Sequence, residues 1–227
     1  MGPMEAPPYI DPAVSRYLLE HSTGPDELLD ALAEEIREVD GASAAAQLSP
    51  GLGRFLTMIV QVTRARTVVE AGAFTGYASL CLARGLPPRG RLTCFAPTRE
   101  RAELARRHWE RAGVADRITL RIGPPAERLR DLPFTPAVDL AFVDAGGDER
   151  SLYYRMLLPH LGAGGLMLVN DTLQGGVVAH PAAYDETTPA VQAFNELVAA
   201  DDRVSVLMLP LAGGLTMIRR HHGGRTV

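Results

Sequence analysis

Lysine is missing from the 227 residues; all 23 basic side chains are arginine. That excludes a lysine general base and any Schiff-base chemistry. Cysteine is scarce, at two residues, Cys81 and Cys94. Both lie in apolar segments, so buried thiols are expected rather than a bridge or a metal pair. No apolar run approaches the ~20 residues a membrane helix needs. Met1 to Pro8 lacks the basic start and apolar stretch of a signal peptide. The formal net charge of -4, with no basic stripe interleaved with aromatics, excludes general affinity for nucleic acid or an anionic membrane. A cytoplasmic location is the expectation.

What is present is ordinary for a globular protein: 46% hydrophobic and 22% charged residues. The length suits one domain of the larger α/β kind. Residues 11 to 38 carry apolar positions at helical spacing, Val14, Tyr17 and Leu18, then Leu28, Leu29, Leu32 and Ile36. Asp11 before Pro12, and Asp26 before the second run, are helix starts. Gly41 to Gln47 reads as a loop. Ser49-Pro50 opens another amphipathic helix through Phe55, Ile59 and Val62, with proline in its first turn.

From Thr67 the period changes. Thr67–Ala71, Leu92–Phe95, Ile118–Arg121, Val138–Val143 and Gly165–Val169 read as buried strands. Helices are expected between them around Tyr77–Arg84, Arg99–Ala112 and Asp148–Leu158. Such alternation predicts a parallel sheet covered by helices on both faces. A further helix falls near Pro189–Ala199. Arg203–Leu209 and Gly214–Arg219 are joined only by Pro210–Gly213, too short for a helical crossover, so they must pair antiparallel. No domain boundary is evident. Residues 1–48 form a helical cap, 49–220 a ligand-binding core and 221–227 a tail, expected to be disordered, which holds His221 and His222.

The segment Val68-Val69-Glu70-Ala71-Gly72-Ala73-Phe74-Thr75-Gly76-Tyr77 follows the first strand and opens a helix. Gly72 and Gly76 let the backbone bend and approach a ligand, in the crevice at the carboxyl ends of strands where open α/β sheets bind ligands. A plain strand-to-helix turn accounts for this Gly-x-x-x-Gly spacing equally well. The context is more specific. Glu70-Ala-Gly-Ala-Phe-Thr-Gly-Tyr, Ala112-Gly-Val-Ala-Asp-Arg, Phe142-Val-Asp-Ala and Gly164-Gly-Leu-Met-Leu-Val-Asn-Asp occur in order, followed by Ala193-Phe-Asn-Glu-Leu-Val-Ala-Ala-Asp and Leu209-Pro-Leu-Ala-Gly-Gly-Leu-Thr. With these motifs the chain resembles the caffeoyl-CoA and catechol O-methyltransferase family from about Arg16 to Arg219.

The resemblance implies a Rossmann-like class I methyltransferase fold: a mostly parallel seven-stranded sheet with an antiparallel C-terminal hairpin. It implies S-adenosylmethionine as cofactor, held by the turn with Glu70, Gly72, Phe74, Gly76 and Tyr77. Adenine contacts fall on the stretch with Gly123, Pro125 and Ala126. Asp144, ending the fourth strand, sits beside the cofactor and binds a divalent cation, with Asn170 and Asp171 completing the metal site. Mg²⁺ takes hard oxygen ligands; there it would chelate two vicinal hydroxyls and lower the pKa of one.

The chain departs from the family pattern at four places. The acid that grips the cofactor ribose aligns with Ala96, and neither Thr98 nor Glu100 stands in its place. Asp-Ala-Asp-Lys is here Asp144-Ala145-Gly146-Gly147, so Gly147 takes the position of the family's lysine, and Asp148 and Glu149 read as a solvated helix start. Asp-Asn is reversed to Asn170-Asp171; on extended chain, neighbours point to opposite sides, which moves the charge across the site. Finally, His180 stands in place of an acid in Val178-Ala179-His180-Pro181, and histidine is a residue type that can serve as a general base where lysine has gone. Asp144, Asp171 and His180 are the candidate catalytic groups. His160, at a helix end, reads as structural.

Three functions are compatible with these residues. The first is a metal-assisted O-methyltransferase acting on a small aromatic or polyhydroxylated substrate of secondary metabolism. The second is the same fold redirected to cyclisation, elimination or metal-independent methylation. The third is a non-catalytic binding protein, which the retained Glu70-to-Tyr77 turn argues against. A homodimer is expected, with a small molecule as the other partner.

Overall fold

The computed structural model describes residues 10–40, 48–72, 75–133, 135, 137–180 and 186–222. Three helices lead: α1 (Pro12–Glu20), α2 (Glu27–Asp40) and α3 (Pro50–Thr63). Their starts are the ones the sequence marks. The Asp11 carboxylate accepts from Ala13 N at 2.7 Å, Asp26 from Leu29 N at 3.0 Å, and the Ser49 hydroxyl from Leu52 N at 3.3 Å. Each satisfies a backbone donor that the first helical turn leaves without a partner.

Strands and helices then alternate: β1 (Thr67–Gly72), α4 (Tyr77–Gly85), β2 (Arg91–Ala96), α5 (Arg99–Arg111), β3 (Ile118–Ile122), α6 (Pro125–Arg130), β4 (Val138–Asp144), α7 (Glu149–Leu157), β5 (Leu161–Asn170) and α8 (Thr188–Ala199). The chain closes with β6 (Val204–Leu209) and β7 (Leu215–Arg220). The seven strands form one sheet in the order β3-β2-β1-β4-β5-β7-β6. The first five are parallel, whereas β7 pairs antiparallel with both β5 and β6. The expected terminal hairpin is therefore present, with its second strand inside the sheet and its first at the edge. The short helix α6 and a 3₁₀ turn at Gln174–Ala179 have no counterpart in the sequence reading; both are too short to show a period.

Alternation along the strands sorts side chains between two cores. Val68, Leu92, Leu140, Phe142 and Leu168 face a cluster built with α2, α3, α4 and α5. Val69, Phe95, Ala141, Val143 and Met167 face a second, built with α6, α7 and α8. Leu32, Leu52 and Leu56 are fully buried in the first, so α2 and α3 are integral to that core, whereas α1 buries no residue. Cys81 and Cys94 are buried free thiols. Among the described residues no helix is long and apolar enough to cross a membrane. His221 and His222 depart from the expected disordered tail: the His221 ring lies 2.9 Å from the Ser205 hydroxyl, and the His221 backbone N–H donates to Arg203 O. The expected Gly41–Gln47 loop lies outside the described residues.

Candidate functional site

Strand order reverses between β1 and β4, which are neighbours in the sheet. Their helices leave to opposite faces, so the strand ends frame a crevice. Gly72 and Asp144 are register partners there. At Gly72 φ is +127°, and a Cβ would stand 2.0 Å from the Asp144 carbonyl oxygen. No side chain fits, so β1 and β4 come together only through glycine. The turn then reaches Gly76, left-handed at φ 83°, which starts α4. A Cβ at Gly76 would lie 2.5 Å from the Ala105 methyl, and Trp109 Nε1 donates to its carbonyl at 3.2 Å. Both glycines of the motif are thus required by close approach as well as by backbone angle.

Glu70, two residues before the turn, is buried and accepts a short hydrogen bond from the Ser79 hydroxyl of α4. Burial pushes its carboxyl up to about 8; the Ser79 bond opposes the shift and the Asp144 charge adds to it. Tyr77 points away from the crevice. Its ring lies against Gly53 of α3 and lines a small cleft with Gly24, Pro25 and Thr57. Phe74 lies outside the described residues.

Across the switch point, β4 and β5 end side by side. Asn170 Nδ2 donates to Asp144 Oδ1 at 2.9 Å, while Asn170 Oδ1 is buried with no partner among the described residues. Burial raises the Asp144 carboxyl to about 6; the Asn170 bond opposes this and the charge of Asp171 reinforces it. Asp171 is not extended. It is left-handed at φ 57°, which corrects the expectation that it simply points opposite to Asn170 along a straight strand. The cause lies downstream, where Thr172 N and Leu173 N donate to Gly214 O and Gly213 O and pin the chain to the β6–β7 turn. A Cβ at Gly213 would meet Asp171 Oδ1 at 2.2 Å, so the carboxylate lies over that glycine.

The other carboxylate oxygen of Asp171 is held by Arg150, a residue absent from the sequence-based candidates. Arg150 is 4% exposed at the start of α7. Its Nη2 donates to Asp171 Oδ2 at 3.1 Å and to Asp171 O at 3.3 Å, and its Nε donates to Asn170 O at 3.3 Å. Burial lowers the pKa of its guanidinium, and the Asp171 and Asp144 charges counter that. One sequence signal pointed to it: an arginine on the helix that follows the motif aspartate.

Asp144, Asn170 and Asp171 share one corner, as expected, but the corner already holds a cation, the Arg150 guanidinium on Asp171. One Asp144 oxygen accepts the Asn170 amide and one Asp171 oxygen accepts a guanidinium. Among the described residues no group of three or more His, Cys, Asp or Glu is arranged to hold a metal ion. Mg²⁺ is held by one or two carboxylates, with water and substrate oxygens completing its shell, and a fixed cation on one of them competes for that place. This donor set, with a buried cation already on one of its two carboxylates, does not fit a resident Mg²⁺.

The remaining candidates stand apart from that corner. Gly123, at φ 125°, donates its N–H to the Ala96 carbonyl at 2.9 Å, so the stretch with Gly123 and the end of β2 lie together. Pro125 and Ala126 form the first turn of α6. Ala96 is fully buried, and the Thr98 hydroxyl caps α5 by accepting from Arg101 N. Asp148 and Glu149 begin α7 and are exposed, as expected. His180 is exposed after the 3₁₀ turn, and no hydrogen bond joins its ring to Asp144, Asn170 or Asp171 among the described residues.

Residues 19–221 match the family model described as O-methyltransferase. The caffeoyl-CoA O-methyltransferase of Mesembryanthemum crystallinum is 32% identical over 220 residues, spanning 92% of this chain and 86% of that protein. The enzyme of the same name from Eucalyptus gunnii is 34% identical over 219 residues, at 92% and 87% coverage. Ligand-bound solved structures are similar as well. The O-methyltransferase TomG of Streptomyces achromogenes, involved in tomaymycin synthesis and solved with SAM, superposes with a TM-score of 0.80 at 29% identity, covering 92% of this chain and 96% of its own. An O-methyltransferase from Bacillus cereus in complex with SAH gives a TM-score of 0.80 at 27% identity, with 92% and 97% coverage.

Proposed function

Because the chain belongs to the O-methyltransferase family, we propose that it transfers the methyl group of S-adenosylmethionine to a hydroxyl oxygen of a small aromatic or polyhydroxylated molecule. The observation that carries this reading is the glycine-only contact of Gly72 with Asp144 at the point where strand order reverses. It leaves backbone and two carboxyl groups, Glu70 and Asp144, where a cofactor with a cationic amino group and sulfonium would lie. The ligand-bound relatives TomG and the Bacillus cereus enzyme support the same cofactor.

In the reaction an acceptor oxygen attacks the methyl carbon, the carbon–sulfur bond breaks, and S-adenosylhomocysteine leaves as a neutral thioether. The hydroxyl proton must be taken up by the protein. Asp144, raised to about 6, is close enough to neutrality to accept it. Asn170 Oδ1, buried without a partner, offers an acceptor for a hydroxyl of the bound substrate; such an atom is costly unless a ligand satisfies it. Asp171 is committed to Arg150, and His180 is exposed on the flanking turn, so we assign neither the proton.

With Ala96 where relatives carry the ribose acid, the lost hydrogen bonds to a charged group amount to about 1.5–3 kcal/mol, roughly ten- to a hundredfold in cofactor affinity. We read the assembly as a homodimer, because Val14, Tyr17, Leu18 and Leu19 on α1 and Val62 on α3 are more than half exposed. The test is incubation with S-adenosylmethionine labelled at the methyl group and a panel of catechols and polyols. Label on an acceptor oxygen, with one equivalent of S-adenosylhomocysteine bound by calorimetry, is expected. A folded protein that binds no S-adenosylhomocysteine at ~1 mM, about -4.1 kcal/mol, overturns the reading.

A further inference from the structure

We propose that the Arg150 guanidinium is the resident cation of the β4–β5 corner, standing where the resemblance puts a divalent metal, and that methyl transfer here proceeds without one. The proposal rests on the methyltransferase reading above.

One of the corner's two carboxylates is neutralised by the chain itself. Asp171 is ion-paired to Arg150 at 3.1 Å, and the arginine side chain is 5% exposed. This is no surface arginine that swings aside for a competitor. Its planar fork makes three hydrogen bonds, to Asn170 O, Asp171 O and the Asp171 carboxylate, a geometry that an ammonium does not reproduce. The Asn170 amide in turn donates to Asp144. Each carboxylate of the corner therefore already has a donor. These bonds do not use the second oxygen of Asp144, the orphan Asn170 Oδ1 or Asp171 Oδ1, which lies over Gly213; what stands against a metal is the cation already seated on Asp171. A divalent ion would also sit beside a fixed positive charge, and buried like charges repel strongly.

The reversed pair then has a physical reason. With aspartate first, the carboxylate would stand in the strand register beside Asp144, at the place where Asn170 donates to it. With aspartate second, it falls on a left-handed residue beside Arg150. The Asn-Asp order therefore suits an arginine, as the Asp-Asn order suits a metal. Arg150 acts through Asn170 and Asp171, holding both carbonyls, and is a positioning residue.

The experiment titrates Mn²⁺ into protein loaded with S-adenosylhomocysteine and follows the free ion by electron paramagnetic resonance. Wild type is expected to bind no Mn²⁺ tighter than ~1 mM, and its turnover is expected to survive a chelator unchanged. Arg150→Gln, which frees Asp171, is expected to gain Mn²⁺ affinity by at least ~10-fold. Arg150→Lys, which keeps the charge, should gain none. A merely structural arginine would lower stability in both variants without this split. If Arg150→Gln does not fold, Asn170→Asp decides. It adds a carboxylate and leaves Arg150 in place, so affinity should change by less than ~3-fold. Stoichiometric Mn²⁺ on wild type, activity abolished by a chelator, or Arg150→Gln that binds S-adenosylhomocysteine but gains no Mn²⁺, each overturns the proposal. Loss of S-adenosylhomocysteine binding by the wild type would instead remove the methyltransferase reading.

Discussion

Gly72→Ala tests the geometry on which the whole crevice depends. The added methyl would lie 2.0 Å from the Asp144 carbonyl oxygen, 2.4 Å from its carbon and 3.0 Å from Ala145 N. All three are backbone atoms, so no rotamer change relieves the clash. Two costs add. Holding alanine at φ +127° places it in a region reserved for glycine, at about 1–3 kcal/mol. Forcing a methyl into a filled space costs about 1–3 kcal/mol more as β1 and β4 part. Alanine recovers about 0.4–1 kcal/mol by restricting the unfolded chain. The net loss is about 1–5.5 kcal/mol, or roughly 2–22 °C in melting temperature for a chain of this size. Gly146→Ala is the control, since Gly146 has nothing within 4 Å of its would-be Cβ and no positive φ; it should change stability by less than about 0.5 kcal/mol. Scanning calorimetry measures both, and isothermal titration with S-adenosylhomocysteine follows binding, which Gly72→Ala should abolish. Equal melting temperatures for the two variants would refute the argument, because the β1–β4 approach would then not depend on glycine.

Asp201 accepts from the Tyr154 hydroxyl at 2.7 Å and pairs with Arg203, which holds its pKa far below the usual carboxylate range, the Arg203 bond being the largest cause. A depressed folded pKa adds stability that is full above the unfolded value of about 3.9 and is lost as pH falls below it. Asp201→Asn should therefore melt lower than wild type at pH 7, with the gap closing toward pH 2–3; a gap that is constant with pH would show that the charge is irrelevant. Glu35 bonds His108 Nε2 at 2.7 Å and also Arg107, joining α2 to α5. Glu35→Ala leaves a buried histidine without that partner, at about 1–3 kcal/mol, and urea unfolding should register the loss without a change in S-adenosylhomocysteine affinity. Light scattering should report twice the chain mass, and Leu18→Glu with Val62→Glu should halve it; a wild-type monomer at micromolar concentration removes the dimer.

Much of the fold was legible because its signals are local. Period and turn residues marked the strands and long helices, and the capping oxygens of Asp11, Asp26 and Ser49 mark the starts that are seen. The glycines of the Glu70–Tyr77 segment were legible for the same reason, since a strand running into a helix needs them. Ser79 was not singled out; a serine inside a helical run carries no sign that it faces a buried acid nine residues back. Tyr77 was assigned to the cofactor by its place in the motif, yet the helix turns its ring toward α3, because a helical side chain follows the helix face and not the motif.

By itself the sequence determined that five parallel strands are followed by an antiparallel pair, because each segment's period and the brevity of its connection are properties of neighbouring residues. It also determined the chemistry at hand: no lysine, and an Asn-Asp pair at the end of the fifth strand. Tertiary structure alone decided that β7 slips between β5 and β6, and that its turn pulls Asp171 into a left-handed bend over Gly213. The partner waiting there, Arg150, is 21 residues away in the chain. No local spacing encodes that meeting; it arises because adjacent strand ends and the start of α7 are brought to one corner, where the buried charge of Arg150 is too costly to leave unpaired.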